Sequence, residues 1–367
     1  MTASNNQQTD FQALMRSLEA ARGQSIHLTT AQLLTWTSGI FQRAGLSDKD
    51  ATTMARTCVY PERDGAKSHG LFRVPNYLDA LTAGNVNINP NITIVQETPS
   101  LLVVDADNGL AQPALQTVQT QLIQKTRETG LCALLLRRAY HIAALWMDVE
   151  PLAKQGFVAL TCVNASSFVA PAPGASAVYG TNPMAFACPR EGHEPLVFDQ
   201  ASSLRARGDV QLAALDGEAV PVGTGLNQKG EPTQDPKAIL EGGTLLPFGG
   251  YKGASIAMMV EILAAALTGG QFSWEIERWN QPTPESASAG QFLLCIDPTV
   301  AGQTQFAHRI QELALKLLTS GQSRLPGDQR YTARALADKE GIEVDTELLL
   351  SWFERTDSGK HTSTTGR

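Results

Sequence analysis

LLVVD, residues Leu101 to Asp105, is the segment from which the fold class follows, because the chain beyond it alternates between apolar strands and helices. Its uninterrupted apolar character is typical of a buried strand. The pattern next predicts an amphipathic helix from Pro113 to Thr129, ended by Gly130. Two more apolar strands are predicted, at Leu131 to Leu136 and at Phe157 to Val163, with a second helix between them. This alternation predicts an α/β lobe.

The segments on either side of this lobe have helical patterns. Thr30 is predicted to cap a helix that runs to about Ala44, and Ser47 to cap a second helix that runs to about Asp64. The first 25 residues are polar and lack the apolar core of a secretion signal, so they are predicted to form a flexible tail. The predicted organisation is therefore a tail (1–25), a helical lobe (26–100, completed by C-terminal helices in 330–367) and an α/β lobe (101–329).

The composition is that of a soluble globular protein, with 43% hydrophobic and 18% charged residues among 367. A net charge of −7 without any Lys/Arg-rich block argues against a nucleic-acid partner. Five widely spaced cysteines without a CxxC pair predict free thiols in a reducing compartment, hence a cytoplasmic location. Six scattered histidines without HxxxH give no support for a metal site. The longest apolar run, Gly253 to Gly270, contains Glu261, which favours a buried helix over a membrane span.

RDGAKSHGLFRVPNY, residues Arg63 to Tyr77, contains the strongest candidate for acid–base chemistry. His69 can donate a proton near neutral pH, and the guanidinium of Arg73 can bind a carboxylate through two parallel hydrogen bonds. If the segment is helical, the two side chains share one face. A helix end or a turn without any catalytic role is the structural alternative.

Two further segments have the composition of ligand-binding loops. TNPMAF, which begins at Thr181, places a hydroxyl and an amide beside a proline, although an ordinary loop would look the same. PFGGYKGAS contains Gly249, Gly250, Gly253 and Lys252 at the start of a predicted helix, which suits an anion or phosphate. The glycines could equally serve helix packing. Since the chain contains neither GxxxxGK[ST] nor GxGxxG, both a P-loop and a Rossmann fingerprint are excluded.

These motifs occur in one order together with RRAYHIAALW and VFDQASS, and the combination resembles the type 2 malate/L-lactate dehydrogenase family. The resemblance implies an α/β (α+β) fold with a non-Rossmann, mostly antiparallel NAD(P)-binding lobe and a helical lobe, in a homodimer. HIAALWMDVEPLAKQG and VFDQASS further resemble the branch that reduces cyclic imino acids with NADPH. That branch forms L-pipecolate from Δ1-piperideine-2-carboxylate and L-proline from Δ1-pyrroline-2-carboxylate.

Two other functions stay open at this point. One is an NAD(P)-dependent 2-hydroxy-acid dehydrogenase acting on malate, lactate or ureidoglycolate, in which the same histidine would act as base. The other is a non-catalytic protein on an inherited scaffold. Neither the preferred ring size, nor the pathway, nor the role of the first 25 residues follows from the sequence.

The resemblance also implies residue roles. His69 corresponds to the proton donor with Ser68 in a relay, Arg73 to the residue that binds the substrate carboxylate, and Thr181 to a residue on the substrate side. Asp209 is the predicted relay carboxylate, with Asp199 as the alternative. Arg324 and Arg330 flank a Gly-Pro turn suited to the 2′-phosphate of NADPH. The predicted cofactor contacts are His141, Ile142, Ala143, Ala144, Leu145, Asp199, Gln200, Ala201, Gly250, Tyr251, Asp328, Gln329 and Arg330.

Overall fold

The computed structural model describes residues 2–276, 289–300, 302 and 304–358, and it forms two compact units. The first unit comprises residues 1–89 and 328–367, and the second comprises 90–327. The predicted helical lobe therefore ends earlier than expected, because residues 93–98 pair as a strand with the α/β lobe. Residues 359–367 of the predicted C-terminal helices lie outside the described residues.

The first unit is mainly helical. A two-stranded antiparallel pair, in which Ile26 lies opposite Val344, joins its N-terminal and C-terminal parts. Its elements are α1 (Thr2–Ala20), β1 (Ser25–Leu28), α2 (Thr30–Arg43), α3 (Asp48–Arg63), α4 (Val74–Thr82), α11 (Asp328–Glu340), β12 (Ile342–Asp345) and α12 (Thr346–Ser358).

The first 25 residues differ from the predicted flexible tail, because most of them form α1. Phe11, Leu14 and Leu18 are buried, and their spacing places them on one side of the helix. The ring of Phe11 stacks on Trp36 at a centroid distance of 4.8 Å. Gly39 of α2 leaves room for that ring, since a Cβ there would lie 2.3 Å from it. The polar composition of the segment concealed this short apolar stripe.

The helix starts are close to those predicted. Ser47 caps α3, and its side chain accepts a hydrogen bond from the backbone N–H of Asp50 at 3.2 Å, which confirms the prediction. The cap of α2 is Thr29, one residue before the predicted Thr30, and it forms a capping box with Gln32.

The second unit is built on a seven-stranded sheet with the order β2-β3-β4-β11-β5-β6-β7. Only β3 and β4 among these neighbours are parallel, and the helix between them provides the crossover. The predicted mostly antiparallel lobe is thus confirmed. Its strands and helices are β2 (Thr93–Thr98), β3 (Leu101–Leu110), α5 (Ala111–Thr129), β4 (Leu131–Tyr140), α6 (Trp146–Ala153), β5 (Val158–Val163), β6 (Met184–Cys188), β7 (Leu196–Gln200), α7 (Arg207–Asp216), β8 (Gly225–Leu226), β9 (Pro232–Thr233), α8 (Pro236–Leu240), β10 (Thr244–Leu245), α9 (Tyr251–Val260), β11 (Ala289–Ile296) and α10 (Phe306–Thr319).

One segment of this unit is more ordered than its composition suggests. Strands β8 to β10 and helix α8 form a small subdomain with its own apolar cluster, in which Val220 and Ile239 pack against Val169. The apolar run after the glycine loop is α9, which continues as a π-helix over Glu261–Ala266.

The five cysteines are free and buried, as expected for thiols that are not paired in disulfides. Among the described residues, no helix has the length and hydropathy needed to cross a bilayer. No cluster of three His, Cys, Asp or Glu side chains in that part of the chain could hold a metal ion.

Candidate active site

The Ser68–His69–Arg73 segment is brought together by two short 3₁₀ turns, Lys67–His69 and Leu71–Arg73. Gly70 separates them with φ −86° and ψ −138°, so the condition for a shared helical face, one continuous helix, is not met. Hydrogen bonds nevertheless connect the three residues through Ser68. Nε of Arg73 donates to the carbonyl of Ser68 at 2.7 Å, and the hydroxyl of Ser68 lies 3.1 Å from Nδ1 of His69.

Glu62 supports this arrangement and was not among the predicted residues. Its Oε2 accepts the backbone N–H of Leu71 at 3.0 Å, on the turn that leads to Arg73. Burial raises the pKa of Glu62, and the hydrogen bond from Leu71 and the charge of Lys67 only partly oppose this. Glu62 lies in the last turn of α3, where the helix dipole disfavours a negative charge. An acidic residue at this position was the sequence signal that could have pointed to a special role for Glu62.

A buried ion cluster holds the end of α3 within the first unit. The carboxylate of Asp64 accepts hydrogen bonds from Arg63 at 2.7 Å and from Nη2 of Arg334 at 2.6 Å. Since Arg334 belongs to α11, this contact attaches α3 to the helix that begins with the predicted cofactor residues Asp328, Gln329 and Arg330.

In the second unit, the predicted cofactor residues 141–145 connect β4 to α6. Asp199, at the end of β7, accepts the backbone N–H of Trp146 at 2.9 Å and so fixes the start of α6. The amide nitrogen of Gln112 lies 3.1 Å from Nε2 of His141, and the carboxylate of Asp148 lies 3.9 Å from the same atom. The imidazole of His141 is therefore engaged inside the unit.

Backbone hydrogen bonds join the other predicted segments of this unit. The N–H of Ser202, next to Ala201, donates to the carbonyl of Thr181 at 2.7 Å. The carbonyl of Ser202 in turn accepts the N–H of Phe248 at 3.0 Å. The segments that contain Thr181, residues 199–201 and the glycine loop are thus held as neighbours.

The glycines of the glycine loop have two different environments. Gly253 serves packing, because a Cβ there would lie 2.1 Å from the carbonyl oxygen of Phe248. Gly249 and Gly250 have φ of +58° and +63°, and an added Cβ would have no heavy atom within 4 Å at either position. Tyr251, the first residue of α9, is 67% exposed, and Lys252 is exposed too. The start of α9 thus has accessible backbone at Gly249 and Gly250 and the positive charge of Lys252 beside it.

The two candidates for the relay carboxylate have different environments. Asp199 is already engaged as the acceptor for Trp146. Asp209 is half-buried in the first turn of α7, in the second unit, whereas Ser68 and His69 belong to the first. Its contact with the histidine therefore stays a prediction.

The chain is similar in sequence to known proteins along most of its length. The profile of the malate/L-lactate dehydrogenase family matches residues 28–351. The chain is 44% identical, over 88% of its length and 95% of the relative's, to a Δ1-pyrroline-2-carboxylate/Δ1-piperideine-2-carboxylate reductase from Pseudomonas putida. It is 39% identical, over 80% of its length and 87% of the relative's, to a (2R)-3-sulfolactate dehydrogenase (NADP⁺) from Chromohalobacter salexigens.

A solved structure gives the same result for the fold. The crystal structure of Δ1-piperideine-2-carboxylate reductase from Pseudomonas syringae pathovar tomato superposes with a TM-score of 0.86 at 44% identity, over 90% of this chain and 99% of that one.

Proposed function

Because the chain belongs to the malate/L-lactate dehydrogenase family, we propose that it is an NADPH-dependent reductase of cyclic imino acids. The substrates are Δ1-piperideine-2-carboxylate, which gives L-pipecolate, and Δ1-pyrroline-2-carboxylate, which gives L-proline. The observation that carries the proposal is the hydrogen-bonded set of Ser68, His69 and Arg73. It combines a proton donor with a carboxylate-binding guanidinium in one segment.

The proposed chemistry assigns one task to each side chain. Arg73 holds the substrate carboxylate through its guanidinium, whose Nε is also bonded to the carbonyl of Ser68. His69 gives its proton to the ring nitrogen and so forms the new N–H, and the C=N bond becomes a C–N bond when C2 gains a hydride. When bound, the nicotinamide supplies the hydride that C2 of the imine accepts. Ser68 orients the imidazole, and Asp209 serves as the relay carboxylate.

Several features of the second unit support binding of a dinucleotide. Gly249 and Gly250 expose backbone at the start of α9, where Lys252 adds positive charge. The residues 141–145, 199–201 and 250–251 would hold the cofactor, with Thr181 on the substrate side. Asp328, Gln329 and Arg330 would contact the nucleotide from the start of α11, where Arg330 suits a 2′-phosphate. We infer a homodimer from the family resemblance, and light scattering tests it. We infer a cytoplasmic location from the free thiols.

A 2-hydroxy-acid dehydrogenase is the second candidate, and the sulfolactate dehydrogenase relative favours it. Monitoring NADPH absorbance with each cyclic imine and, separately, with pyruvate and 3-sulfopyruvate distinguishes the two. Catalytic efficiency at least tenfold higher with an imine supports the proposal. Higher efficiency with a keto acid assigns the enzyme to the second class, and absence of turnover with all four compounds indicates a non-catalytic protein.

A further inference from the structure

We propose that Glu261 is a positioning residue for this reaction, which sets the Thr181–Asn182 loop against α9, the helix that follows Gly250. The inference rests on the proposed function, because it assumes that substrate lies beside Thr181 and cofactor beside Gly250.

Asn182 occupies an unusual backbone position in the loop. It is fully buried and has φ of +39°, in the left-handed region that side-chain-bearing residues rarely adopt. Its amide Nδ2 donates to the carbonyl of Ala257 at 3.0 Å and to Oε1 of Glu261 at 2.7 Å. A conformation of this kind persists only where the surroundings enforce it, and here two acceptors near the end of α9 do so.

Glu261 is itself buried, with 3% of its surface exposed. Its Oε2 accepts the backbone N–H of Ser273 at 3.1 Å, and its Oε1 accepts the hydroxyl of Ser273 as well as the amide of Asn182. Its oxygens are satisfied by N–H and O–H donors, which have fixed directions and therefore specify geometry as well as stability.

The helix departs from regular geometry at this glutamate. The α-helix from Tyr251 ends at Val260, and a π-helix begins with Glu261. Single π-turns inside helices occur frequently at functional sites. The proposed mechanism does not otherwise use this buried carboxyl.

Together these contacts connect both ligand-binding segments. Thr181, the residue before Asn182, accepts the N–H of Ser202 through its carbonyl, and Ser202 is also bonded to Phe248 of the glycine loop. The Thr181–Asn182 loop is therefore connected by hydrogen bonds to both ends of α9. Ser202 connects it to Phe248, just before the start of the helix, and Glu261 connects it to the end of the helix. Loss of the Glu261 hydrogen bonds should change the position of Thr181 relative to Gly250 and weaken the binding of both substrate and cofactor.

Glu261→Gln and Asn182→Gly test the proposal. The glutamine keeps the size of the side chain but turns one acceptor oxygen into an NH₂ that faces other donors. The glycine adopts positive φ without strain and removes the side chain together with its amide. Glu150→Gln is the matched control, because Glu150 is also buried in the second unit and pairs with Lys154 at 3.0 Å.

For both test variants we expect the NADPH Kd, measured by fluorescence titration without substrate, and the imine KM to rise about tenfold. The midpoint of the pH profile of kcat should not move, since His69 is untouched. The control should change neither constant. If Asn182→Gly lowered the melting temperature but left Kd and KM unchanged, the proposal would be overturned. Equal rises of Kd and KM in the Glu150→Gln control would overturn it too.

Failure of the proposed function gives a different result. If the wild-type enzyme does not reduce cyclic imines, the KM is measured instead for the keto acid that it does reduce. The NADPH Kd still reports whether Glu261 positions the cofactor side. Should Glu261→Gln not fold, Asn182→Gly and Ser273→Ala give the same readouts, and unchanged constants in both would reject the positioning role.

Discussion

The carboxylate of Glu62 occupies the space that a side chain at Gly70 would need. A Cβ at Gly70 would lie 2.2 Å from Oε2 of Glu62 and 3.0 Å from its backbone nitrogen and Cα. The same Oε2 holds the N–H of Leu71. Glycine is therefore required here by space. The close contact between α3 and the turn after His69 therefore depends on both residues.

Gly70→Ala should lower kcat at least tenfold, because the new methyl group displaces Oε2 from Leu71 and moves the turn that carries His69 and Arg73. Glu62→Ala should have a comparable effect, since it removes the acceptor. The double variant should lose less activity than the product of the two single effects. Steady-state kinetics on all three variants give the coupling, and strictly multiplicative losses would show that the two positions act independently.

Glu62→Gln should change how stability depends on pH. Because burial raises the pKa of Glu62 above its unfolded value, the carboxyl favours folding only while it stays protonated. Its contribution is fully present below the unfolded pKa of about 4.3 and is lost as pH rises through the folded pKa. The neutral glutamine lacks this loss, so the melting temperature of the variant relative to wild type should be higher at pH 8 than at pH 4.5. A constant difference across that range would contradict the raised pKa.

His69→Ala should lower kcat by about 10²–10⁴-fold, the usual cost of losing a general acid. NADPH binding should survive, because the proposed cofactor contacts lie elsewhere. In the wild type, kcat should fall as pH rises through the pKa of the histidine in the complex, and the variant should lose this limb. His308→Ala, at an exposed histidine paired with Glu191, is the control. A destabilised but fully active His69→Ala enzyme would limit His69 to a structural role.

Arg73→Lys keeps the positive charge but loses the planar fork, and with it the Nε hydrogen bond to Ser68. The imine KM should rise at least tenfold while the NADPH Kd stays constant. The control is Arg43→Lys, which affects an arginine paired with Asp357 in the same unit. An unchanged KM in Arg73→Lys would remove Arg73 from the substrate site.

Wild-type catalytic efficiency should be higher with NADPH than with NADH, and Arg330→Ala should reduce that preference at least fivefold by raising the NADPH KM selectively. Arg355→Ala, at an exposed arginine paired with Asp79, should leave the preference unchanged. Equal efficiency of the wild type with both cofactors would contradict the proposed specificity.

The local features of this protein could be predicted from its sequence because the interactions that create them lie within a few residues. The apolar strands at 101–105, 131–136 and 157–163, the helix cap at Ser47 and the adjacency of Ser68 and His69 are of this kind. The antiparallel sheet followed from the resemblance of four motifs, since periodicity alone gives no strand order. The helix α1 was missed because a narrow stripe in a polar segment becomes stable only when it packs on Trp36.

The sequence alone thus predicted which residues carry the proposed chemistry, whereas the tertiary structure decided what holds them. Glu62 reaches Leu71 only because Gly70 leaves space between α3 and the following turn. Asn182 meets Glu261 from 79 positions away along the chain. Whether two residues far apart in the chain come into contact depends on how whole helices and strands pack against each other. The pattern of residue types along the sequence contains no information about that packing.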